Sequence, residues 1–281
     1  MIIEFTKMHG AGNDFVVIDA VRKAVSLSSE HIQTIANRHT GVGCDQVLVV
    51  EPPKRGDADF EYTIFNADGS SAGQCGNGAR CVGRFIREQG LSLKQEIILQ
   101  VGDSLRRLLL SNNLDVKAEL GTPVFDLAAI PYVLPYSDEG SSTEHELKLG
   151  GVTVNAGILS MGNPHAVIVV DDCAATPVEK IGPMIQKLDV FPDSVNVGFM
   201  EIKTRDAVAL RVFERGAGET LACGSGACAA VVHGITLGLL SPEVTVDLPG
   251  GKLIVSWTGS NDTVWLAGPT KTVFQGKVNL R

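Results

Sequence analysis

The chain repeats itself, and that repeat limits the folds open to it. Cys75-Gly76-Asn77-Gly78-Ala79 returns as Cys223-Gly224-Ser225-Gly226-Ala227, and 223 − 75 = 148 residues separate the two. Each copy runs on into an apolar stretch of helical character. Gly12-Asn13-Asp14-Phe15-Val16-Val17-Ile18-Asp19 returns as Gly162-Asn163-Pro164-His165-Ala166-Val167-Ile168-Val169-Val170-Asp171, with 163 − 13 = 150. Asp45-Gln46-Val47-Leu48-Val49 aligns with Val195-Asn196-Val197-Gly198-Phe199, since 196 − 46 = 150, and Asn66 with Glu214, since 214 − 66 = 148. Correspondences at almost one offset are the signature of a duplicated unit.

The duplication predicts two pseudo-symmetric α/β domains of the α+β type. Each is expected to be a strongly curved, mostly antiparallel sheet or barrel around a central helix. A Gly-Asn turn feeding a β-branched run reads as a strand. In the first half, strands are predicted near 2–6, 14–19, 46–51, 60–65, 96–101, 105–110 and 114–120. A helix is predicted over 29–38, with Ser28 or Ser29 as N-cap. A second begins after Cys75 and ends at Gly90, a natural C-cap. In the second half, strands are predicted near 145–149, 152–156, 165–171, 194–202 and 207–213. A helix near 178–188 follows Pro177 as a first-turn residue, another runs from Gly224 to Leu239, and strands follow to the end. Pro123, Pro131 and Pro135 place the linker between 121 and 136, and the polar stretch 137–143 reads as an exposed loop. The domain limits are then 1–124 and 125–269, with a strand over 270–281 left free to return to the first domain.

Composition narrows the function classes. With 281 residues, 44% hydrophobic and 20% charged, the chain can bury a sizeable core. The net charge is −8 and no Lys/Arg run is dense enough to track phosphates. Nucleic acid and anionic membrane surfaces are therefore not expected partners. The start, Met1-Ile2-Ile3-Glu4-Phe5-Thr6-Lys7, is no secretory signal. The apolar stretch from Ala222 to Leu240 is interrupted by Ser225 and His233 and reads as a buried helix, so a cytoplasmic protein is expected. The six cysteines, at 44, 75, 81, 173, 223 and 228, include no C-x-x-C and no zinc-knuckle spacing. Neither a disulfide framework nor a metal site is expected.

The repeated cysteines carry chemistry. A cysteine at the mouth of a helix faces the unpaired N–H groups of the first turn. The partial positive charge there favours a thiolate. The N–H groups of Gly76, Asn77, Gly224 and Ser225 are open to bind a carboxylate. Two equivalent units can direct two thiols at one α-carbon. One thiolate removes the proton from one face and the other thiol protonates the opposite face, while the helix mouths stabilise the enolate-like charge. No cofactor is required, and no lysine stands in a recognisable Schiff-base setting. The bland alternative is that a Cys before Gly in a Gly/Ala helix is a small buried filler. Cys81 and Cys228 read that way, and Cys44 and Cys173 read as structural. The matched contexts of Cys75 and Cys223 favour function.

Over essentially its whole length the chain resembles the diaminopimelate epimerases. The likeness rests on Lys7-Met8-His9-Gly10-Ala11-Gly12-Asn13-Asp14-Phe15, Phe65-Asn66-Ala67-Asp68-Gly69-Ser70, Gln74-Cys75-Gly76-Asn77-Gly78-Ala79-Arg80-Cys81, Met161-Gly162-Asn163-Pro164-His165, and Glu214-Arg215-Gly216-Ala217-Gly218-Glu219-Thr220 running on to Ala222-Cys223-Gly224-Ser225-Gly226. The resemblance implies conversion of LL- to meso-2,6-diaminopimelate in lysine and peptidoglycan-precursor synthesis, with no cofactor and a homodimeric state. It implies that Cys75 and Cys223 are base and acid, and that Gly76-Asn77 and Gly224-Ser225 hold the reacting carboxylate. It further implies that Asn13, Gln46, Asn66, Asn163, Asn196, Glu214 and Arg215 line the cleft, with His165 behind them. Arg215 suits a bidentate distal carboxylate, and Glu214, or a backbone carbonyl near it, suits a distal ammonium. Plainer readings stand beside these: turn-shaping for Asn13 and Asn163, a surface ion pair for Glu214-Arg215, strand packing for His165. The rival functions are a proline or hydroxyproline racemase, a phenazine-biosynthesis-like isomerase that uses no paired cysteines, and a thiol redox sensor.

Overall fold

The computed structural model describes residues 1–73, 75–111, 115–134, 143–259 and 261–280. The chain divides into two compact units, one formed by Met1–Glu119 with Ala267–Arg281 and the other by Leu120–Leu266.

The first unit contains β1 (Ile2–Gly10), β2 (Asn13–Asp19), α1 (Ser29–Ala36), β3 (Gln46–Glu51), β4 (Phe60–Asn66), β5 (Ser71–Ala72), α2 (Gly76–Glu88), β6 (Glu96–Val101), β7 (Ser104–Leu110) and β8 (Val116–Gly121). A C-terminal strand, Thr270–Asn279, pairs antiparallel with β1. The second unit contains β9 (His145–Leu149), β10 (Val152–Ser160), β11 (Pro164–Val169), α3 (Val178–Gln186), β12 (Asn196–Thr204), β13 (Ala207–Glu214), β14 (Gly218–Thr220), α4 (Gly224–Thr236), β15 (Glu243–Leu248), β16 (Gly251–Ser256) and β17 (Val264–Gly268).

The pairing of strands is duplicated. β1–β2 is antiparallel, β2–β3 parallel and β3–β4 antiparallel, and β10–β11, β11–β12 and β12–β13 follow the same order. β4 pairs parallel with β6 as β13 does with β15. Even the register repeats: Phe15 lies opposite Gln46 and His165 opposite Asn196, while Val47 lies opposite Phe65 and Val197 opposite Phe213. The parallel pairs arise because a helix crosses over between their strands.

Each sheet is covered on both faces. In β3 all four residues from Val47 to Val50 are buried, as expected for a strand between two layers. Val47 and Val49 pack with Ile32 and Ile35 of α1, while Leu48 faces α2 at Gly78. In the second unit Val197 and Phe199 pack with Val178 and Ile185 of α3. α4 is buried from Gly226 to Gly234 without a break. Such a helix must be made of small residues wherever another layer comes close. A Cβ on Gly83 of α2 would stand 2.9 Å from both Leu108 and Val116.

Several boundaries differ from the sequence expectation, each for a local reason. β1 runs to Gly10 rather than residue 6, accommodated by a register shift at Lys7/Met8. α1 stops at Ala36 because the Asn37 carboxamide accepts the N–H groups of His39 and Thr40. Its N-cap is Ser28, within a capping box closed by His31. α2 ends as expected, with Gly90 at φ +65°, but α4 ends at Thr236 because Gly238 takes up φ +72° in the matching role. Pro177 is the N-cap of α3 rather than a first-turn residue, and Pro183 lies inside that helix. The expected linker contains a short 3-10 turn, Leu127–Ala129, capped by Asp126. Of the polar stretch read as a loop, 137–142 lies outside the described residues.

His233 of α4 shows how tightly the layers meet. It is 2% exposed, and a Cβ on Gly157 of β10 would fall 2.2 Å from its ring nitrogen Nδ1. Gly157→Ala is expected to lower stability by about 2–3 kcal/mol, read by urea unfolding, because the rigid ring has to move. Burial also drives the His233 imidazole down to about 4, although Glu144 stands 3.7 Å from it. The unfolded chain therefore binds this proton more readily than the folded one between about pH 6.5 and 4. Stability is expected to fall as pH drops through that window, by up to about 3 kcal/mol from this group. The loss between pH 7 and pH 5 should be smaller in His233→Leu.

Candidate active site

In the first unit the chain reverses between β1 and β2 through Ala11 at φ +51° and Gly12 at φ +86°. That turn brings Asn13 to the start of β2. Gln46 begins β3 and Asn66 ends the antiparallel β4, directly opposite it. The two are joined by Gln46 Nε2 donating to Asn66 Oδ1 at 3.0 Å, and Asn66 Nδ2 donates to Ser70 Oγ at 3.1 Å. Cys75 is the N-cap of α2, with extended backbone angles, and its Sγ accepts the Gly78 N–H at 3.3 Å. The sulfur thus takes the place that a serine or aspartate oxygen usually fills.

Around Cys75 runs a set of oriented amides. The thiol donates to Asn13 Oδ1 at 3.7 Å, and Asn77 Nδ2 donates to the same oxygen at 3.5 Å. Asn13 Nδ2 donates to Asp45 at 2.8 Å. Asn77 Oδ1 accepts from Arg80 Nη2 at 2.8 Å, and Arg80 Nη1 also donates to the Gly76 carbonyl at 3.2 Å. Arg80 is wholly buried. Asp45 is further bound by Arg38, which also grips Asp14 through both its terminal nitrogens. Burial works to raise the Asp14 carboxyl, but the hydrogen bonds from Arg38 and Lys7 and the charge of Lys7 together hold it well below its usual range.

The second unit holds the equivalent residues in different bonds. Asn163 follows Gly162 at φ +92° and its Oδ1 lies 3.0 Å from His165 Nε2. His165 is buried, and this desolvation, with Arg215 adding to it, pushes its imidazole down to about 3. Asn196 opens β12, donates to the Pro164 carbonyl at 2.9 Å and accepts the Arg215 N–H at 3.0 Å. Arg215 is exposed and its guanidinium donates to the Asp193 carbonyl at 3.0 Å. Glu214 ends β13. Its two oxygens accept from Thr220 Oγ1 at 2.5 Å and from Cys223 Sγ at 2.9 Å. Cys223 is the N-cap of α4, with Ser225 Oγ 3.6 Å from its sulfur.

One expectation is corrected here. Helix-mouth placement predicts an acidic thiol at both cysteines. Cys223 is instead raised well above the ordinary thiol range, first by burial and then by the charge and hydrogen bond of Glu214. The Ser225 hydroxyl and the Gly226 N–H act in the opposite direction and are outweighed. Desolvation removes water from the whole thiolate, whereas a helix terminus supplies only partial charge. Cys223 therefore rests as a thiol aimed at a carboxylate.

The structure gathers Asn13, Gln46, Asn66, Cys75, Gly76 and Asn77 at one end of the first sheet, where β2 and β3 begin and β4 ends. It gathers Asn163, His165, Asn196, Glu214, Arg215, Cys223, Gly224 and Ser225 at the matching end of the second. Residues in contact with these that were not singled out from sequence include Asp45, Arg80, Gly78 and Gly226. The second glycine of each C-G-x-G was the available signal. A Cβ at Gly226 would press on the Cys223 sulfur at 3.3 Å, and one at Gly78 would meet the Cys75 sulfur in ordinary contact at 3.5 Å. The other cysteines are buried, and burial pushes Cys44 up to about 11 and Cys81 up to about 12. Among the described residues no group of His, Cys, Asp and Glu is placed to hold a metal ion. Among them, too, no helix is long and apolar enough to cross a membrane.

Comparison with known proteins fits this duplicated architecture. A phenazine biosynthesis protein of the PhzF family from Bacillus anthracis superposes with a TM-score of 0.69 at 17% identity, covering 100% of both chains. A hydroxyproline epimerase from Agrobacterium vitis superposes with a TM-score of 0.70 at 14% identity, covering 99% of this chain and 92% of that one. The chain thus has the two-unit fold shared by these proteins. The family model for diaminopimelate epimerase matches residues 5–125 and 157–273. The diaminopimelate epimerase of Alkalilimnicola ehrlichii is 50% identical over 282 residues, with all of both chains covered. The chain belongs to the diaminopimelate epimerase family.

The Glu214 contact yields a direct expectation. Glu214→Gln removes the charge that opposes the thiolate, so Cys223 should alkylate roughly tenfold faster with iodoacetamide at pH 8. Peptide mass spectrometry reads the rate at Cys223 alone.

Proposed function

We propose that this protein epimerises one α-carbon of 2,6-diaminopimelate, converting the LL to the meso isomer, with Cys75 and Cys223 as an acid–base pair and with no cofactor. The observation that carries this reading is the matched placement of two cysteines. In a chain of the diaminopimelate epimerase family, each cysteine occupies the N-cap position of a helix at a C-G-x-G-A sequence.

In one direction the Cys75 thiolate, supported by the Gly78 N–H, takes the α-proton. The C–H electron pair passes into the adjoining carboxylate, whose added charge is stabilised by the N–H groups of Gly76, Asn77, Gly224 and Ser225. Cys223 delivers its proton to the opposite face. In the reverse direction Cys223, left as the thiolate once its proton has been delivered, is the base and the Cys75 thiol is the acid. A thiol held above its usual range is a poor resting base but keeps its proton ready for delivery.

Asn13, Gln46, Asn66, Asn163 and Asn196 bind the polar ends of the substrate, Arg215 the distal carboxylate and Glu214 the distal ammonium. His165, neutral and hydrogen-bonded to Asn163, orients that amide. The protein acts as a cytoplasmic homodimer in lysine and peptidoglycan-precursor synthesis, without nucleic-acid or membrane partners.

The test is turnover of LL-diaminopimelate in heavy water under reducing conditions, with proline as a control substrate. Product carrying α-deuterium is expected, with turnover reduced by a factor of about 10²–10⁴ in Cys75→Ala and in Cys223→Ala. Turnover of proline instead would keep the acid–base pair and replace the substrate. No exchange on either would remove the proposal.

A further inference from the structure

The amides around Cys75 form a chain with fixed polarity. At one end Arg80 can only donate, so the Asn77 atom 2.8 Å from it is the carbonyl oxygen. Asn77 therefore turns its NH₂ towards Asn13, whose facing atom is Oδ1. At the other end Asp45 as a carboxylate can only accept, so Asn13 turns its own NH₂ towards Asp45. Both ends demand the same direction. The shared oxygen, Asn13 Oδ1, is the atom that the Cys75 thiol meets.

An unfixed asparagine beside a thiol has two options. Its oxygen accepts from S–H, or its NH₂ donates to the thiolate. The first favours the protonated sulfur and the second the ionised one. We infer that Asp45 and Arg80 are positioning residues that lock Asn13 in the first orientation and so favour the protonated form of Cys75 in the free protein. This rests on the reading of Cys75 as an acid–base group.

The lock is confined to one unit. Under the repeat offsets Asp45 corresponds to Val195, since 195 − 45 = 150, and Arg80 to Cys228, since 228 − 80 = 148. Neither replacement can donate or accept strongly. In the second unit the oxygen of Asn163 meets His165, and the Cys223 thiol meets the Glu214 carboxylate directly. The two thiols are therefore controlled by different means: an oriented neutral amide at Cys75, a charged acceptor at Cys223.

Other charged or titratable groups also bear on Cys75. Tyr62 reaches it electrostatically from β4 and Cys81 from its own helix, and the Arg80 charge acts in turn on Cys81. Asp45 is accompanied by Asp14, Lys7 and Arg38. Loss of the Asp45 charge alone would also favour a thiolate, so the test has to separate charge from amide orientation.

A double-mutant cycle does so. The pH midpoint of Cys75 alkylation is measured by pulsed iodoacetamide labelling and peptide mass spectrometry in the full chain. The variants are Asp45→Ala, Asn13→Ala and the two combined, with Cys223 in the same molecules as internal reference. Asp45→Ala is expected to lower the Cys75 midpoint by about one pH unit, near tenfold in reactivity at fixed pH, and to leave Cys223 unchanged. In the Asn13→Ala background the same substitution should shift the midpoint by much less, leaving only the effect of the lost charge. Equal shifts in both backgrounds would mean a plain charge effect and overturn the inference, as would no shift in the single variant. If Asp45→Ala does not fold, Asp45→Asn, which keeps the side-chain size but lets either end of its amide face Asn13, is carried through the same cycle with the same two outcomes. Labelling requires no turnover, so its result stands apart from whether diaminopimelate is the substrate.

Discussion

The close packing of a glycine-rich helix against a sheet is the constraint from which the rest of each unit follows. α2 and α4 are buried almost all round, so their backbones approach the strands within the reach of a methyl group. That approach is possible only with glycine and alanine at the contact. It also fixes the height of the helix mouth relative to the strand ends. The N-cap sulfur, the first-turn N–H groups and the polar residues at the strand ends are thereby held by core packing rather than by loop conformation. Side chains on packed elements keep their geometry better than side chains on loops.

The duplication gives the two units one topology but different electrostatics. Both cysteines stand at the N-cap of a helix, and the Cys75 sulfur accepts the N–H of the third residue beyond it, Gly78. Their remaining neighbours diverge. Asn66 in one unit is replaced by Glu214 in the other, and this single exchange puts a carboxylate against one thiol. A reaction that removes a proton from one face and supplies one to the other suits two unlike thiols.

Much of the fold was legible because the repeat fixes topology twice. Gly-Asn turns, β-branched runs and the C-G-x-G-A segments marked the strand and helix starts to within a few residues. Errors fell where side chains compete with the backbone, where glycine tolerance decides the end, or where a proline sits one place outside the first turn: Asn37 closing α1, Gly238 closing α4, Pro177 as the N-cap of α3. The local sequence does not encode which of two stop signals the tertiary packing uses. Asp45 and Arg80 were missed for a related reason. An aspartate before a strand and an arginine in a helix look like ordinary surface charges until burial and a partner amide are known.

The amino-acid sequence by itself determined the duplicated unit, the residue types at each helix mouth and the family to which the chain belongs. These depend on identity and spacing, which are one-dimensional. Only the tertiary structure decided the bonding state of the thiols. The same C-G-x-G-A motif leaves Cys75 partly exposed beside oriented amides and buries Cys223 against a carboxylate. A thiol's proton affinity depends on desolvation and on charges brought from distant strands, and those are set by packing in three dimensions.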